Sequence, residues 1–74
     1  MRAERLVSMA NDIGAFFNAE VDKSVAAQGV ANHIKRYWDP RMRRQIVAHY
    51  REEGGAGLEP LARSAVALLA TSTS

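Results

Sequence analysis

The 74-residue sequence contains no cysteine. Disulfide frameworks, thiolate zinc sites and cysteine-held iron–sulfur clusters are therefore excluded, and a small core has no covalent staple to assist it. Long apolar runs are also missing. The longest, Ala65 to Ala70, has six residues, against the roughly 20 needed to cross a bilayer. The amino end, Met1-Arg2-Ala3-Glu4-Arg5, leads into a segment holding Asn11 and Asp12 without the apolar core of a signal peptide. A soluble, cytoplasmic protein is the expectation. Length is scarce too: a chain of this size buries roughly 60% of its unfolded surface. That leaves little room for both a core and a walled cleft of about 300 Å³ or more. The reading is either an efficiently packed miniature or a subunit completed by a partner.

No segment alternates with a period of two, and no internal repeat or low-complexity run is present. What is there is helical spacing. Leu6, Ala10, Ile13 and Phe17 fall within about 60° of one another at 100° per residue, which predicts a helix over about residues 3–19. Met9 and Phe16 form a second ridge, so this helix carries a wider apolar face than one neighbour would cover. Asp22 is placed to cap a second helix bearing Val25, Ala26, Gly29, Val30, His33, Ile34 and Tyr37 on one broad side and ending near Trp38. Gly14 and Gly29 each cost a helix interior about 1 kcal/mol relative to alanine. Close approach of the first two helices at both glycines would offset this.

Asp39-Pro40 is the sharpest local signal, because proline suits the first helical position and the preceding carboxylate accepts from the exposed amides. The third helix continues through Met42, Ile46, His49 and Tyr50 and stops at Gly54-Gly55-Ala56-Gly57. Pro60 opens a short, weaker fourth helix with Leu61, Ala65, Leu68 and Leu69 on its apolar face. The expected architecture is a single all-α domain over 1–70, with three main helices, a short carboxyl-terminal fourth, and a frayed tail at 71–74. Short connections predict that consecutive helices pack as neighbours.

The net charge of +2 hides an uneven distribution. Between Lys35 and Arg44 stand five basic residues and one acid, a local balance of +4 that leaves −2 for the rest. Such a knot suggests one focused contact with something anionic. On the third helix Arg44 and Arg51 point away from the apolar direction and read as solubilising residues. Arg41 and Arg43 flank it, where an arginine fork can meet a partner bidentately. Trp38 stands at the junction of the second and third helices. It reads as a corner plug and, with one ring edge exposed, as an interface anchor.

Catalytic patterns are absent. His33 and His49 lie sixteen residues apart on different helices, and metal binding is not expected. No glycine elbow surrounds a serine, and Gly54 to Gly57 lacks the Lys-Ser/Thr of a phosphate loop. A helix-turn-helix entering a DNA groove is the alternative to a protein-docking role. Against it, the third helix offers mainly Arg and Met where a recognition helix wants short polar side chains.

Met9-Ala10-Asn11 followed by Ile13 and Phe16-Phe17, then His33-Ile34 with Tyr37-Trp38-Asp39-Pro40-Arg41-Met42-Arg43, then Gly57-Leu58-Glu59-Pro60-Leu61, resembles the delta subunit of soluble NAD-dependent formate dehydrogenase. The resemblance spans about residues 9–69, and Trp-x-Pro-Arg-Met-Arg is its most specific block. Val21 stands where many relatives are expected to carry proline. The resemblance implies a non-catalytic accessory subunit that docks on the larger subunits, chiefly the catalytic alpha subunit, and supports assembly, stability or cofactor loading. It further implies that the molybdenum or tungsten pterin, the iron–sulfur clusters, FMN and NAD reside in those partners, with no cofactor, nucleic acid or membrane bound by this chain. Met9, Phe16, Trp38, Arg41 and Arg43 are the expected docking residues.

Overall fold

A computed structural model describes residues 2–71 as four helices without a strand among them: α1 (Ala3–Phe17), α2 (Lys23–Tyr37), α3 (Pro40–Glu53) and α4 (Pro60–Thr71). The expected all-α bundle is observed. Each helix after the first starts where local chemistry satisfies its free amides or tolerates their absence. Asp22 Oδ1 accepts from the Ser24 and Val25 amides at 3.0 and 3.4 Å, and Asp39 Oδ1 accepts from the Met42 amide at 2.9 Å. Pro40 and Pro60 occupy first helical positions, where a missing N–H costs nothing. α3 ends at Gly54, whose φ of 67° is the left-handed conformation that closes a helix.

The core is one cluster built around Leu6, Val30, Ile34, Ile46 and Val66, all fully buried. α4 is not the weak appendage expected from its length. It packs against α1, α2 and α3, and its buried face is Ala62, Ala65, Val66 and Leu69, while Leu68 is partly exposed. Two alanines on that face let three helices approach it closely, and burial follows from that three-sided position. Conversely α2 and α3, consecutive in the chain, touch less than any other pair. Their Trp38-Asp39 junction turns α3 away onto α4.

The buried stripe of α1 is likewise rotated from the expected one. Leu6, Val7, Ala10 and Gly14 are buried, whereas Ile13 and Phe17 are half-buried. The cause is α4: a Cβ on Gly14 would lie 3.6–3.9 Å from Ala62, so this glycine faces α4 and not α2. Gly29 does serve the α1–α2 approach, since a Cβ there would come within 2.7 Å of the Phe17 ring. The helix itself stops at Phe17, two residues before the expected end. Thr71 belongs to α4, its hydroxyl donating to the Leu68 carbonyl at 3.1 Å. Ser72, Thr73 and Ser74 lie outside the described residues.

Candidate docking site

The five expected docking residues fall at separate places. Phe16 is on the surface near the end of α1, 78% exposed, with its ring edge-on to Phe17 at a centroid distance of 5.2 Å. Around the following turn Val21 is 92% and Val25 55% exposed, so three large apolar side chains surround one end of the α1–α2 hairpin. Met9 is half-buried and packs against the core instead of standing out as a ridge with Phe16. Trp38 is 5% exposed and belongs to the core cluster. It fills the corner between α2 and α3, and so little of its surface remains that the anchor role falls away. Phe17 meets α2 at Gly29, and the eight residues from there to Tyr37 span about 12 Å of helix. Phe16 and Trp38 do not present one exposed patch, because Trp38 has almost no surface to contribute.

The basic knot divides, but not as its helical angles suggest. Arg43 Nη1 donates to the Lys35 carbonyl at 2.7 Å and to the Trp38 carbonyl at 3.4 Å. It satisfies the open carboxyl end of α2 and places a positive charge against the negative end of that helix. Arg51 is not a free solubilising group either, since its Nη2 donates to the Ala70 carbonyl at 2.7 Å near the end of α4. At the end of α1, Lys23 Nζ donates to the Asn18 and Glu20 carbonyls at 2.7 and 3.0 Å. Cations from elsewhere in the chain thus close α1, α2 and α4, and glycine closes α3. Arg41 remains exposed in the first turn of α3, and Arg44 is exposed farther along it. Arg36 covers the exposed Tyr37 ring at 5.8 Å, and His33 lies against the same ring at 4.6 Å.

Between α3 and the carboxyl-terminal end of α4 lies an open groove of about 890 Å³. Lys35, Arg43, Arg44 and Arg51 line it, with Glu52 as the one acid. Its floor is Val47, Ala48, Leu69 and Ala70. Helical angles place Arg44 and Arg51 away from the core. They do not reveal that the end of α4 rises beside them to make a concave wall.

Asn11, which no helical pattern in the sequence singles out, joins α1 to the α3–α4 loop. Its Nδ2 donates to the Gly57 carbonyl at 3.0 Å, and its Oδ1 accepts from the Glu59 amide at 2.9 Å. His49 Nε2 lies 2.8 Å from the Ala56 carbonyl, so that nitrogen carries a proton and donates to the same loop. Among the described residues no group of three His, Asp or Glu side chains gathers where a metal could sit. With no cysteine in the chain, it offers no thiolate to an iron–sulfur cluster. Nor is any helix among the described residues long and apolar enough to cross a membrane.

The family model of the NADH-dependent formate dehydrogenase delta subunit FdsD matches residues 5–66. The chain belongs to this family. The matched stretch runs from the first turn of α1 through Val66 of α4, so it includes the exposed α1–α2 turn, the Trp38 corner and the Asn11 bridge. A delta subunit associates with the other subunits of a formate dehydrogenase, and the expectation drawn from the Trp38–Arg43 block is met. No curated protein matches the chain, and no solved structure matches it.

Proposed function

We propose that this delta-family chain is a non-catalytic accessory subunit that docks on the catalytic alpha subunit of a formate dehydrogenase and supports assembly or stability of the complex. The observation that carries this reading is the exposure of Phe16, Val21 and Val25 around a single turn. Three large apolar side chains in water at one end of a small domain are the mark of a surface that a partner covers. In this reading the molybdenum or tungsten pterin, the iron–sulfur clusters, FMN and NAD sit in the partner subunits. Work in the cytoplasm alongside those subunits is part of the same proposal.

The test is co-expression of the chain, carrying an affinity tag, with the other subunits of the enzyme. Co-purification of the alpha subunit at low salt is the expected result, together with loss of intact complex when this chain is omitted. Failure of the large subunits to co-purify overturns the proposal. So does steeply salt-dependent binding to generic duplex DNA in place of the subunits, which is the signature of several phosphate contacts.

A further inference from the structure

We infer that the groove between α3 and the end of α4 receives an acidic segment of another subunit of the complex, an inference that rests on the accessory-subunit reading above. Charge is the first ground. Four cations against Glu52 give the lining a balance of +3, although the whole chain carries only +2. The excess positive charge of the molecule is therefore concentrated at this one concavity, and field lines in a recessed site focus on an incoming anion.

The division of labour among those cations is the second ground. Arg43 and Arg51 are fixed by their hydrogen bonds to the carboxyl ends of α2 and α4, so two guanidiniums are held along the groove with donors to spare. Lys35 and Arg44 are exposed beside them. A carboxylate arriving there meets a partly preorganised array, which lowers the cost of ordering long side chains on binding.

The floor decides the kind of anion. Ala48 and Ala70 are small enough for a main chain to approach, and Val47 and Leu69 offer an apolar strip for one or two aliphatic side chains. A nucleic acid would want aromatic platforms for its bases or a long cationic track. This groove has no aromatic lining residue and is interrupted by Glu52. A peptide segment with two or more carboxylates flanking an aliphatic residue satisfies both the rim and the floor.

The experiment compares charge variants in binding to a purified complex assembled from the remaining subunits without this chain. The double variant Lys35→Glu/Arg44→Glu reverses the two cations that hold none of the helix-end hydrogen bonds described above, so its thermal melt should fall only slightly, by the loss of a favourable charge in the last turn of α2. Binding at about 0.1 M salt is expected to fall at least tenfold. Glu52→Lys should instead tighten it severalfold, and both differences should shrink at about 1 M salt, where screening acts within about 3 Å. Because the chain has no cysteine, Glu52→Cys provides a unique attachment point for a photo-crosslinker loaded before mixing. The crosslinked peptide of the partner should be rich in Asp and Glu. If the unmodified chain binds while the double variant binds equally well, or if the crosslinked peptide carries no net negative charge, the groove is overturned and the accessory reading stands. An unmodified chain that fails to bind overturns both.

Discussion

Asn11 on α1 and Gly57 in the α3–α4 loop are 46 residues apart in sequence, yet the Asn11 amide donates to the Gly57 carbonyl at 3.0 Å while accepting from the Glu59 amide at 2.9 Å. One side chain thereby stands in for a strand partner and holds the entry to α4. Gly57 makes this approach possible. Its φ is 89°, and a Cβ there would come within 3.2 Å of Val7.

Replacing Asn11, itself half-buried, by alanine removes two hydrogen bonds, to the Gly57 carbonyl and from the Glu59 amide, in an exposed stretch of the loop. The expected cost is about 1–3 kcal/mol, which for a domain of this size lowers the melting temperature by about 4–8 °C per kcal/mol. Asn11→Asp should be at least as harmful. It keeps the acceptor for Glu59 but turns the donor into an anion facing the Gly57 carbonyl. Thermal melts followed by circular dichroism decide the matter, and an unchanged midpoint in both variants would remove Asn11 from the account of the fold.

The two helical glycines should respond to alanine with opposite signs. At Gly14 a new Cβ finds Ala62 at 3.6–3.9 Å, ordinary contact, so Gly14→Ala gains helix propensity of up to about 1 kcal/mol without strain. At Gly29 the same atom would stand 2.7 Å from the Phe17 ring. That ring must move, and part of the α1–α2 packing goes with it. Chemical denaturation of both variants should place Gly14→Ala above and Gly29→Ala below the unmodified chain.

How much of this was legible before the structure follows from the range of each interaction. The starts of α2, α3 and α4 were readable because Asp22, Asp39-Pro40 and Pro60 act within three residues of themselves. The stop at Gly54 was readable for the same reason. The central place of α4 was not, since burial of Ala62, Ala65 and Val66 depends on three helices meeting there and alanine carries little pattern of its own. Angles around a single helix also misassigned Arg51, whose partner at Ala70 lies 19 residues away on another helix. The resemblance carried by Trp38–Arg43 identified the family correctly, but residues within that block turned out to serve the corner of the fold.

That correction changes the expected behaviour of the arginines. Changing Arg41 and Arg43 together looks harmless to the fold on sequence grounds, but Arg43 holds the carboxyl end of α2 through the Lys35 and Trp38 carbonyls. Arg43→Met should cost about 1–2 kcal/mol from lost charged hydrogen bonds and the lost interaction with the helix dipole. Arg41→Met and Arg44→Met, at exposed positions, should stay within about 0.5 kcal/mol. Melts of the three single variants separate these cases. Equal stability of all three would show that the α2 end is served adequately by water.

The exposed turn between α1 and α2 makes the remaining prediction, and it needs two variants because Phe16 has a neighbour. Phe16→Ser barely changes helix propensity, but it also removes the edge-on contact with Phe17, worth about 0.5–1.5 kcal/mol. A loss of complex in that variant alone could therefore be relayed through Phe17 and its seat on Gly29. Val21 lies in the turn itself at 92% exposure, with no helical hydrogen bond to disturb. Val21→Ser should leave the melt of the isolated chain unmoved. If the turn is where a partner subunit covers this chain, both substitutions should weaken recovery of the tagged complex by about fivefold or more, because truncating a buried anchor at an interface commonly costs over about 1 kcal/mol. Loss of complex with Phe16→Ser but none with Val21→Ser would assign the effect to packing inside α1–α2, and the docking edge would have to be sought elsewhere on the molecule.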